Sequence, residues 1–137
     1  MTSPFLDAAW LSCLVSSLLL SLWLLCWRRG WLLTTGLVIY GAGLLSSSLF
    51  IAQRWKSLGH PPFTSTFESL FLLNLGIGVT FFAVHLRARL AYLAPFAAFA
   101  SLLALGFSTL FETGIHPIMP ALRNNFWLTI HVSLCFV

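Results

Sequence analysis

Apolar residues run almost without interruption through four stretches of this chain: Phe5–Trp27, Trp31–Ala52, Phe67–Leu86 and Leu90–Phe111. Polar residues gather between the stretches instead of alternating within them. Each stretch has about 20 residues or slightly more, enough for a helix to cross a ~30 Å hydrocarbon core. A barrel strand would alternate from one residue to the next, and these runs do not. Lipid cannot satisfy backbone N–H and C=O groups, so a helix, which satisfies its own, is the expected form. The pattern predicts an all-α fold, a polytopic integral membrane helical bundle with four complete transmembrane helices.

A fifth run, Phe126–Val137, has 12 residues. At ~1.5 Å per residue it rises roughly 18 Å, a little over half the membrane core. It carries no closing charge, glycine or proline. Free carbonyls at that depth are costly, so the expectation is a truncated fifth helix in the N-terminal transmembrane part of a longer protein. A short re-entrant segment is the alternative. At the other end, no basic residue precedes the first run, and that run is too long for the apolar region of a secretory signal. It is expected to be a retained first helix.

Composition strengthens the membrane reading. Hydrophobic residues make up 59% of the chain and charged residues 7%, against about 25% charged in a soluble domain. The formal net charge is +4. Arg28 and Arg29 separate the first two runs, and Arg87 and Arg89 separate the third and fourth; Arg54, Lys56 and Arg123 fall in the other two loops. The tight basic turns are the better cytoplasmic anchors. The N-terminus and the loops Gln53–Thr66 and Glu112–Asn125 are then expected outside. The cations are split between both faces and never cluster, so nucleic acid is not an expected partner. Cys13, Cys26 and Cys135 are scattered through apolar segments without a CxxC pair, as buried structural thiols would be.

Both outer loops carry unusual content. In "RWKSLGHPPFTSTFESL", Gly59 and Pro61–Pro62 forbid helix. Ser65 and Glu68 then have the spacing of a capping box for the third helix. A second reading joins Glu68 to His60 in an outer polar patch. In "GIHPIMPALRNNFWLTIHV", Pro117 and Pro120 favour an extended loop, and Asn124 or Asn125 can cap the fifth helix. Trp127 suits the interfacial belt. Trp127, His131 and Cys135 are spaced four apart and share one helical face.

The histidines differ in setting. His85, beside Arg87 and Arg89, is expected to reach the cytoplasmic headgroups, and His116 to be solvated. His131 lies five residues, ~7.5 Å, below the entry of the fifth helix. Polar groups at such a depth usually face a bundle interior or a cavity. Physics alone leaves two readings open: a hydrogen-bonded packing residue, or a ligand of haem iron with Trp127 covering the porphyrin edge.

The two loops together resemble the CcsA (ResC) family of cytochrome c biogenesis proteins, members of the haem-handling superfamily that carries a tryptophan-rich "WWD" segment. The family stretch "RW…SGHFPLSNLYESL" is matched by Arg54, Trp55, Gly59, His60, Pro62, Thr64, Ser65, Phe67, Glu68, Ser69 and Leu70. Ser65 stands where the family usually has Asn, and Phe67 where it often has Tyr. The family stretch "PALQSNWL..HV" is matched by Pro120, Ala121, Leu122, Asn125, Trp127, Leu128, His131 and Val132, with one extra residue near Phe126.

The resemblance implies more than spacing can. It makes His131 an axial ligand of haem b at the outer face, the first of a pair flanking the WWD segment, with Trp127 beside it. His60, Pro62, Glu68 and Asn125 would shape the outer vestibule. The partners implied are a CcsB (ResB)-like membrane protein and the CxxCH thiols of apocytochrome c. The chain would then be part of a haem-attachment complex, without catalytic residues of its own and inactive alone. The expected location is a bacterial inner membrane, or alternatively a plastid thylakoid. Two further readings remain: a HemX-like protein acting in haem synthesis, and a membrane assembly subunit without a cofactor.

Overall fold

In the computed structural model, residues 4–25, 29–58, 65–111 and Ile130 are described. They form helix α1 (Pro4–Leu25), α2 (Gly30–Leu58), α3 (Thr66–Ala88), a short 3₁₀ turn (Ala91–Leu93) and α4 (Ala94–Ser108). Four spans, Pro4–Leu25, Gly30–Ser57, Thr66–Ala88 and Ala91–Ser108, are long and apolar enough to cross a membrane. The all-α membrane bundle expected from the sequence is therefore found. The run Phe126–Val137 lies outside the described residues apart from Ile130, which is helical.

Two boundaries differ from the expectation. The second helix does not stop where its apolar run stops, at Ala52, but continues to Leu58. Residues 53–58 are polar apart from Trp55 and Leu58, yet none of them breaks a helix, and the first breaker is Gly59. At 29 residues, α2 outruns a ~30 Å core at ~1.5 Å per residue. Its polar last turns are the overhang. Arg54 and Lys56 are thus helical, where the sequence reading placed them in a loop. The fourth run is also not one continuous α-helix. Pro95 sits in the first turn of α4, where its missing N–H costs nothing, and the preceding residues tighten into the 3₁₀ turn.

The helices form a ring. α1 packs extensively on α2, α4 packs on α1 and α3, and α2 meets α3 most sparsely of these pairs. The α1–α2 contact is built on small residues. A Cβ on Gly43 would lie 2.9 Å from Ser12 Cβ, and one on Gly36 would lie 2.7 Å from Leu20 Cδ2. Lipid is as apolar as a leucine, so helices gain little from hydrophobic burial against one another. Close backbone approach through small residues supplies van der Waals contact instead. Serines on these helices donate to carbonyls one turn back, as Ser16 does to Cys13 O (3.0 Å), Ser17 to Leu14 O (2.8 Å) and Ser47 to Gly43 O (3.0 Å). Their hydroxyls are thereby satisfied inside an apolar medium.

Tyr40 crosses the ring. Its side chain is fully buried, its ring stacks on Phe82 of α3 (5.8 Å), and its hydroxyl is 2.6 Å from Ser101 Oγ of α4. One side chain of α2 therefore touches both α3 and α4.

Candidate functional site

The α2–α3 contact is layered. Tyr40 and Phe81 lie at one end, 6.1 Å apart. Next comes Gly78, whose missing side chain leaves room for Leu44. Above it, Asn74 Nδ2 donates to Ser47 Oγ at 3.2 Å. Asn74 is fully buried and its Oδ1 has no hydrogen-bond partner. Then follow three phenylalanines, with Phe50 4.9 Å from Phe71 and 6.0 Å from Phe67.

Charge closes the stack at the end where α2 finishes and α3 begins. Ser65 is extended at φ −119°, ψ 153° and caps α3. Its Oγ accepts from the Glu68 N–H at 3.2 Å, and its own N–H donates to Glu68 Oε2, also at 3.2 Å. This is the capping box read from the sequence. The carboxylate's other oxygen does something the sequence reading did not foresee. Glu68 Oε1 accepts from Arg54 Nε at 2.8 Å, across 14 residues of chain. The side chains of Arg54 and Glu68 are 14% and 2% exposed. Arg54 Cζ also lies 5.3 Å from the centre of the Phe67 ring, a cation–π arrangement.

Glu68 is thus buried at the interior end of the bundle, while His60, the other member of the outer patch, lies outside the described residues. The capping reading holds, and the ion pair adds to it. Arg54 was legible as a cation but not as a partner, because the apolar run ended two residues before it. The signal that could have found it is the absence of a breaker before Gly59.

The other site residues proposed from sequence, His60, Pro62, Asn125, Trp127 and His131, lie outside the described residues. His116, Cys26 and Cys135 lie outside them too. His85 is described and is half-buried near the end of α3. Its ring stacks on Phe81 at 5.5 Å, and its Nδ1 is buried without a hydrogen-bond partner. Long side chains in a helix lean toward the N-terminus and the residue four back, which for His85 is Phe81. Cys13 is a buried free thiol against the Gly43 contact. Among the described residues no group of three or more His, Cys, Asp or Glu side chains gathers to hold a metal.

These features define a class: a polytopic helical membrane protein whose second and third spans are clamped at one end by an ion pair and a capping box. Comparison with known proteins narrows it. The chain is 34% identical over 112 residues to the cytochrome c biogenesis protein CcsA of Synechococcus elongatus, covering 76% of this chain and 32% of that protein. It is 29% identical over 104 residues to CcsA of Chlorella vulgaris (73% and 33%) and 30% identical over 94 residues to CcsA of Trichormus variabilis (66% and 26%). The resemblance to the CcsA family read from the two loop motifs thus holds over most of the chain. The matched region spans about a third or less of the length of these relatives. No family model matches the chain, and no solved structure matches it.

Proposed function

We propose that this chain is the N-terminal membrane part of a longer cytochrome c assembly protein. In this reading the whole protein exports haem b and presents it at the outer face of a bacterial inner or thylakoid membrane, for attachment to apocytochrome c. A CcsB-like membrane protein is its partner. The observation that carries the reading is the likeness to CcsA along most of the chain.

Haem is cargo here. His131 ligates the iron from the fifth apolar run, and Trp127, one turn earlier, covers the ring edge. A second ligand comes from chain beyond Val137. His60, Pro62 and Asn125 belong to the outer vestibule. Glu68 acts behind it, from inside the bundle. The basic turns holding Arg29, Arg87 and Arg89 face the cytoplasm.

The test is haem content. The complete protein, purified with its membrane partner, should carry low-spin b-type haem. His131→Ala should lower that content, and added imidazole should restore part of it. An unchanged haem spectrum and stoichiometry in the variant would remove His131 from the ligand set.

A further inference from the structure

We infer that Arg54 and Glu68 are a positioning pair. They set the placement of the α2 and α3 ends between which residues 59–64 run, more than they stabilise the bundle. The inference rests on the haem-presentation reading, in which those residues belong to the outer vestibule.

The geometry of one carboxylate carries it. Glu68 Oε1 accepts from Arg54 Nε on α2, and Oε2 accepts from the Ser65 backbone N–H, the first described residue after the segment. A single side chain of 2% exposure therefore joins the last turns of α2, the N-cap of α3 and the first turn of α3. No apolar contact could join these three with the same directionality, because each hydrogen bond fixes an angle as well as a distance.

Stability alone does not explain the pair. Taking two charges out of water is costly, and well-packed apolar residues of similar volume often do as well or better. Beneath the pair, the cluster of Phe50, Phe67 and Phe71 already supplies an apolar contact between the same two helices. To these ring contacts, tilted or edge-on, the ion pair adds hydrogen bonds that fix an angle as well as a distance. The α2–α3 contact is also the sparsest of the helix pairs around the ring. Among the described residues, few interactions set the relative placement of these two ends, and the ion pair is the most directional of them.

The test separates placement from stability. Arg54→Met with Glu68→Gln removes both charges and leaves no buried ion, while Gln keeps the capping-box bond to Ser65 N–H. Spin labels at Lys56 and Thr66, both exposed helical positions, report the distance between the two ends in a cysteine-free background. We expect a narrow distance distribution in the unsubstituted protein and a broadened one in the double variant, with thermal stability in detergent unchanged. In cells carrying the complete protein, haem attachment to a CxxCH reporter should fall about tenfold or more, as misplacement of a reacting group does. A distribution that stays narrow in the double variant overturns the inference. So does broadening that leaves attachment intact, or broadening that only follows a loss of stability. If the unsubstituted protein supports no attachment, it is the haem-presentation reading that fails, and the distance measurement still reports whether the pair fixes the helix ends.

Discussion

The two faces of α2 are built on opposite plans. Against α1, the helix offers Gly36 and Gly43, and the contact is close, extensive and made of small residues. Against α3 it offers Ser47, Phe50 and Arg54, and the contact is sparser but carries a side-chain hydrogen bond, an aromatic cluster and an ion pair. The first plan gains van der Waals energy over a long interface and tolerates little change in volume. The second is also close at Gly78, against Leu44, but depends besides on particular atoms meeting. A membrane helix pair can therefore be held by shape or by direction, and this chain uses both on one helix.

The sharpest way to break the comparison is to strand a charge on the directional face. Arg54→Met alone leaves the Glu68 carboxylate buried without its cation, and thermal or denaturant unfolding in micelles should register a loss of about 3 kcal/mol. If the loss matches that of the neutral double variant, the ion pair contributes no more than ordinary packing. The shape-held face is tested by Gly43→Val. The new Cβ would meet Ser12 Cβ at 2.9 Å, which no side-chain rotation relieves, so the helices must separate. Overpacking of this kind costs about 1–3 kcal/mol. The same unfolding measurement should show it, and no change would mean that α1 and α2 slide freely.

Smaller effects sharpen the picture. Ser65→Ala removes the hydroxyl that accepts from Glu68 N–H and should cost about 1 kcal/mol, the usual worth of an N-cap. Glycine at the same position should cost only a few tenths. Circular dichroism across a melt distinguishes the two. Tyr40→Phe keeps the ring on Phe82 and deletes the hydroxyl at Ser101. Hydrogen bonds between membrane helices average about 0.6 kcal/mol, so this variant should fall below the others. A larger loss would make the ring-crossing contact to α4 a principal support of the bundle.

The sequence made most of this architecture legible, for a simple reason. Lipid removes the alternatives that a soluble chain would have, so a run of about 20 apolar residues can only be a helix. The Ser65–Glu68 box was readable because its bonds are local, three residues apart. The extension of α2 to Leu58 was missed because the apolar pattern reports where lipid ends, not where a helix ends. Residues 53–58 continue the helix because none of them breaks it, and Arg54 among them is held by Glu68. The pairing of Ser47 with Asn74 and of Tyr40 with Ser101 gave only a partial signal. Polar groups inside a span demand partners, but spacing does not say which helix supplies them.

By itself, then, the sequence determined the class, the number of described spans, the cap of α3 and the resemblance to CcsA. These depend on hydrophobicity, on local geometry and on motif residues, all of which are written in order along the chain. Tertiary structure alone decided that Arg54 meets Glu68 across 14 residues, that Glu68 is buried, and that Tyr40 bridges to α4. Such contacts depend on how far each helix runs, how it is rotated and which neighbour it meets. Those quantities are fixed by packing in three dimensions.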